Sequence, residues 1–267
     1  METIDKKAFP RRGIFILPSL LTTANIFCGF FAITILMTGE KGAMDLAAKA
    51  IGIAILLDGL DGRLARMTGT TSQFGLQLDS LADAISFGLA PAVMLLNWPR
   101  LLHCPQDYWT WGWIACFLYM VCGVMRLARF NVQTPGIKHF LGLPIPAAAG
   151  VVAALVHFSA KYPHLQIFDP NVFIYWLFPM ATVLGIFMIS TMRFASMKSL
   201  SFNKDKPYFT IVLIALLLTG VYFFSHELLM AIAGLYFLSG IVGTLRRKLF
   251  AHHSQPAHHE HEEAPAE

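Results

Sequence analysis

Six stretches of this chain, at residues 17–37, 108–125, 141–160, 172–192, 207–225 and 228–245, contain no Asp, Glu, Lys or Arg. Each approaches the roughly 20 apolar residues that a helix needs to cross a hydrocarbon layer. Water is therefore the wrong solvent for most of the molecule. Composition agrees: charged residues make up 13 %, against about 25 % in soluble domains, and hydrophobic residues reach 56 % with 22 Phe. The first apolar run lacks a small-residue cleavage pattern, so it is expected to stay as a membrane segment. Two further apolar stretches, about 45–67 and 74–98, are interrupted by acids. Counting them gives an all-α integral membrane protein of about eight transmembrane helices.

The basic residues then orient it. Of the twenty Lys and Arg, an eight-helix chain with its N-terminus inside places sixteen on the inner side and four outside. That asymmetry is the one positive-inside sorting produces, and it predicts cytoplasmic N- and C-termini. Residues 1–250 read as one membrane domain. Residues 251–267, rich in His, Glu, Pro and Ala, read as a disordered cytoplasmic tail. The four cysteines, Cys28, Cys104, Cys116 and Cys122, form no CxxC and no metal-ligand spacing. Nothing in the charge pattern points to nucleic acid.

The acids inside the second and third helices are the anomaly. A carboxylate near the bilayer interior is costly unless paired, hydrated or metal-bound. Asp58 and Asp61 are three residues apart, and Asp79 and Asp83 four apart, so each pair shares one helix face. The link between them is short and polar, which makes the two helices antiparallel neighbours and brings four carboxylates together. Arg63 and Arg66 cannot neutralise four acids; divalent cations can. All-oxygen ligands favour Mg²⁺, Mn²⁺ or Ca²⁺, and four carboxylates suit a two-metal site of the phosphoryl-transfer type. Gly62 and Ala65 keep the helix surface low for a ligand, Gly75 opens the facing helix, and Arg66 offers a planar fork for phosphate.

Asp58, Asp61, Gly62, Ala65, Arg66, Gly75, Asp79 and Asp83 together match the signature of the CDP-alcohol phosphotransferase family, which this chain resembles at every specified position. The resemblance implies that the four aspartates hold two divalent ions, Mg²⁺ or Mn²⁺, on the diphosphate of a CDP-linked lipid. It implies that Gly62, Ala65, Arg66 and Gly75 line the nucleotide pocket, and that Asp83 takes the proton of the attacking hydroxyl. It also implies a homodimer, a bacterial cell-membrane location and an active site at the cytoplasmic face.

The acceptor alcohol is read elsewhere. Arg126, Arg129 and Asn131 close the fourth helix, and the stretch around Gly142–Gly150 opens the fifth. With residues 17–29, these resemble the serine-accepting, phosphatidylserine synthase branch of the family, over about residues 10–150. Serine would need a cation for its carboxylate, which Arg126 or Arg129 could clamp, with Asn131 orienting it. Thr22 and Asn25 are candidates for contacting the nucleotide, with a plain interhelical hydrogen bond as the competing account. The expected reaction is CDP-diacylglycerol plus L-serine giving the phosphatidylated serine and CMP. Glycerol 3-phosphate, inositol phosphate or choline remain alternative acceptors. A transporter also carries intramembrane acids, but is expected to show them at matching places in two halves.

Overall fold

The computed structural model describes residues 16–69, 72–104, 109–132, 142–192 and 207–251. The tail from 252 onward and nine of the twenty Lys and Arg that orient the chain lie outside them. Among the described residues the fold is all-helical. Helix α1 (Ile16–Thr38) is followed by α2 (Ala43–Thr68) and α3 (Gln73–Asp83). A π-helical segment (Ala84–Leu89) leads directly into α4 (Ala90–Leu101). Then come α5 (Trp109–Val132), α6 (Ile145–Lys161), α7 (Pro170–Ile189) and α8 (Pro207–Ala251).

The turns explain why the helices stop where they do. Gly39 and Gly42 take positive φ values of 67° and 92°, a conformation costly for residues bearing a Cβ, and reverse the chain between α1 and α2. These two helices then pack through small side chains: Ala32, Ala43, Ala47, Ala48 and Ala54 are all buried. Gly69, at φ 65°, ends α2 by donating its N–H to the Ala65 carbonyl, a left-handed C-terminal cap. Three residues on, Ser72 caps α3 by accepting from the Gly75 N–H at 3.0 Å. Gly142, at φ 84°, admits α6 to the bundle. A Cβ there would stand 2.2 Å from the Met188 carbonyl oxygen, and the backbone is tied to α7 by Leu143 N–H to Phe187 O (2.9 Å) and to the segment just past α7 by Gly142 N–H to Met192 O (2.7 Å).

Among the described residues, five helical stretches are long and apolar enough to cross a membrane: Ser19–Thr38, Gln73–Leu101, Trp109–Val132, Val172–Ile189 and Thr219–Thr244, with α6 a shorter apolar helix. Helix α2 spans 26 residues but carries Asp45, Lys49, Asp58, Asp61, Arg63 and Arg66, which takes it out of that group. The two runs expected at 207–225 and 228–245 form one helical element with non-helical backbone at Phe224 (φ −127°, ψ 37°). The bend is sharp. A Cβ on Gly220 would lie 3.0 Å from Leu228 Cδ2, whereas residues eight apart on a straight helix are separated by about 12 Å. No Gly or Pro lies at residues 224–227, so helical geometry resumes at once after the bend.

A polar joint holds that bend. His157 on α6 donates from Nδ1 to Asp45 Oδ1 on α2 (2.5 Å), and its Nε2 accepts from the Ser225 hydroxyl (3.0 Å). Lys49 pairs with the other Asp45 oxygen at 2.6 Å. His226 stacks on His157 with ring centroids 3.8 Å apart. Nearby, Glu227 joins Lys161 (2.6 Å) and the Tyr162 hydroxyl.

Candidate active site

Helices α2 and α3, linked through residues 69–72, place the acids together. Carboxylate oxygens of Asp58, Asp61 and Asp79 lie within 4.8 Å of one another. Asp61 and Asp83 are buried, at 4 % and 8 % exposure. Helix α1 supports the cluster: Thr22 donates its hydroxyl to Asp61 Oδ2 at 2.9 Å. The other oxygen of Asp61, with Oδ1 of Asp79 and of Asp83, is buried and has no hydrogen-bond partner. Buried carboxylate oxygens left without donors are rare in folded proteins. Among the described residues the ion pairs are Asp45–Lys49, Asp45–His157 and Lys161–Glu227, so the four site aspartates have no salt-bridge cation of their own. Crowded carboxylates with buried oxygens that lack donors are a donor set suited to hard divalent cations, and the residues present fit such ions.

Asp83 stands apart from the three-carboxylate group. It sits at the end of α3, immediately before the π segment, and the charges of Asp58, Asp79 and Asp61, and of Arg126 on α5, act on it. Arg126 also acts on Tyr236 of α8. The Nε of Arg126 is buried without a partner. Asn131 reaches α3, its amide donating to the Ser80 hydroxyl at 3.0 Å, one residue from Asp79. Arg129 is exposed, so the two arginines grouped by sequence have different surroundings: one faces the acids and the other does not.

On the opposite side of the cluster, the Arg66 guanidinium folds back over Gly62, where a Cβ would sit 3.4 Å from Nη1. Its charge acts on Asp58, Asp61 and Asp79. Ala65 is half-buried and Gly75 takes part in the Ser72 cap. Of the two α1 residues, Thr22 makes an interhelical hydrogen bond. Asn25 is fully buried, and neither polar atom of its amide has a partner. Sequence reasoning passed over Ser80, Ser86, Tyr119 and Tyr236. A Ser or Tyr in an apolar run gives no local sign of what it will meet across the bundle.

The helical fold with a carboxylate cluster between its second and third helices defines a membrane-embedded phosphotransferase, and the chain belongs to the CDP-alcohol phosphatidyltransferase family, whose model matches residues 15–186. Among its relatives is the CDP-diacylglycerol–serine O-phosphatidyltransferase of Helicobacter pylori, 34 % identical over 235 residues, covering 87 % of this chain and 92 % of that one. The protein of the same description from Methanocaldococcus jannaschii is 30 % identical over 238 residues, covering 89 % and 98 %. An archaetidylserine synthase from Methanothermobacter thermautotrophicus is 38 % identical over 140 residues, covering 52 % and 56 %. Similarity thus runs well past residue 150, where the sequence motifs end.

Proposed function

We propose that this protein transfers the phosphatidyl group of CDP-diacylglycerol to the hydroxyl of L-serine and releases CMP. The observation that carries the reading is the cluster of Asp58, Asp61 and Asp79, with buried carboxylate oxygens that no protein donor satisfies. The names of relatives matched over nearly their whole length support serine as the acceptor.

Asp58, Asp61, Asp79 and Asp83 would hold two divalent ions, Mg²⁺ or Mn²⁺, which when bound would neutralise the donor diphosphate and favour loss of CMP. The residues of the chain do the rest. Thr22 fixes one oxygen of Asp61, leaving the other for ligation. Arg66 reaches toward the diphosphate over Gly62, while Ala65, Gly75 and Asn25 line the nucleotide side. Arg126 offers its guanidinium to the serine carboxylate, and Asn131, pinned to Ser80, closes the acceptor side with Arg129 at its rim. Asp83 accepts the hydroxyl proton as serine Oγ bonds to the lipid-bearing phosphorus. The bond from that phosphorus to the CMP oxygen breaks, and CMP leaves with the electron pair.

The site lies toward the cytoplasmic face of an eight-crossing domain spanning residues 1–250, with both termini and the 251–267 tail on that side. Water-soluble serine and CMP exchange there, in a bacterial cell membrane, and the enzyme works as a homodimer. The diphosphate is the same whether the lipid carries ester or ether chains, so an archaetidyl donor fits the same residues.

The test is CMP release by purified protein from CDP-diacylglycerol, with Mn²⁺, Mg²⁺ or chelator, and with serine, glycerol 3-phosphate, inositol phosphate or choline. Release that needs both metal and serine is expected. Metal-dependent release with another alcohol would overturn the acceptor assignment, and none with any alcohol would overturn the donor assignment.

A further inference from the structure

The π segment Ala84–Leu89 begins at the residue after Asp83. Single π turns are rare and collect at functional sites, because each inserts a residue into the helix at a cost in hydrogen bonding. Here the segment joins the acid-bearing end of α3 directly to α4, which is buried at Ala90, Met94, Leu95 and Trp98 among others. The direction of Asp83 relative to that buried helix is therefore set across the π turn.

Two side chains hold this turn in place. Ser86, fully buried, donates its hydroxyl to the Asn25 carbonyl on α1 at 2.8 Å. The contact is close to the backbone: a Cβ on Gly29 would stand 2.5 Å from Ser86 Oγ and 2.8 Å from Ser86 Cα. On the other side, Tyr119 of α5, also fully buried, donates its hydroxyl to the Phe87 carbonyl at 3.2 Å. Tyr119 lies seven residues before Arg126, two turns along the same face of α5. The hydrogen bond that secures the π turn thus also sets the height of α5, and with it Arg126, against Asp83.

We infer that Ser86 and Tyr119 are positioning residues for the transfer, holding the π turn that aims Asp83 at the acceptor hydroxyl. The inference rests on the proposed role of Asp83. Tyr119 reaches the π turn rather than the three-carboxylate group, so its loss leaves the donor side in place, whereas Ser86 also bonds the backbone of Asn25 on the nucleotide side.

The experiment is steady-state kinetics on Tyr119→Phe and Ser86→Ala in detergent, with serine and CDP-diacylglycerol varied separately and rates taken per folded enzyme. Asp83→Asn is the comparator. Tyr119→Phe is expected to lower kcat about tenfold or more while leaving the KM for CDP-diacylglycerol within twofold, and Ser86→Ala to move kcat in the same direction. A general loss of stability would reduce the folded fraction and leave kcat per folded enzyme unchanged. The inference is overturned if both variants keep kcat within twofold, or if kcat and donor KM change in parallel, while Asp83→Asn is inactive. Normal turnover in Asp83→Asn would overturn instead the reading of Asp83 on which the inference rests.

Discussion

Thr22 and Asp61 show how one hydroxyl can tune a metal-type site. The Thr22 hydrogen bond fixes Asp61 Oδ2 and leaves Oδ1 without a partner, so the carboxylate is aimed before any ligand arrives. A hydrogen bond to a charged group contributes about 1.5–3 kcal/mol. Thr22→Val should therefore raise the Mn²⁺ concentration for half-maximal activity by about tenfold or more, with kcat at saturating metal much less affected. Metal titration of the variant checks this. Arg126→Gln should raise the serine KM by about tenfold or more, with the donor KM little changed, because a carboxylate would lose a charge-assisted partner. Arg129→Gln, at an exposed position, should change serine KM less. The aspartates themselves were legible in sequence because i,i+3 and i,i+4 spacing, a short link and an apolar setting leave few other arrangements. The separation of Arg126 from Arg129 was not. Their spacing puts them on one face, and the packing of α5 against α7, the π segment and α4 decides which of them is enclosed.

Individual helices carry their own signals, some readable and some not. Gly142 was noticed as part of a Gly- and Pro-shaped start to a helix, yet its reason is tertiary: positive φ and a backbone contact with Met188. Gly142→Ala should destabilise the fold by at least the roughly 1–3 kcal/mol of a strained backbone position, seen as a lower thermal unfolding midpoint in detergent. The bend in α8 at Phe224 falls close to the expected boundary between two apolar runs, where Ser225, His226 and Glu227 interrupt the sequence. Their partners on α2 and α6 could not be read, because Asp45 and His157 are 112 residues apart in sequence. His157→Ala removes the hub of that joint and should lower the unfolding midpoint while leaving serine KM unchanged. Asp45 is 13 residues before Asp58, about 20 Å along α2. The π segment was the least legible element. The residues Ala84–Leu89 carry no pattern that distinguishes a π turn from an α turn, and the Ser86 and Tyr119 hydrogen bonds that tie it to α1 and α5 form only across the bundle.

At the scale of the whole molecule, the division of labour follows the solvent. Exposed large apolar side chains such as Phe27, Phe30, Trp111, Trp113 and Tyr222 suit lipid, while the polar groups gather in two interior places. One is the joint among α2, α6 and α8, and the other is the acid cluster among α1, α2, α3 and α5. The all-helical, membrane-embedded character was legible because hydrocarbon thickness sets a length and uncharged runs reveal it. Which helices qualify as spans on apolarity alone was less so, since α2 must carry the charges that make the site. The account predicts that labelled L-serine enters the lipid-extractable fraction when purified protein, CDP-diacylglycerol and Mn²⁺ are combined, with CMP formed one for one. It also predicts that both products disappear in Asp79→Asn. Transfer that persists without metal or in Asp79→Asn, or CMP release with no serine in lipid, would contradict the claim that this carboxylate cluster drives phosphatidyl transfer to serine.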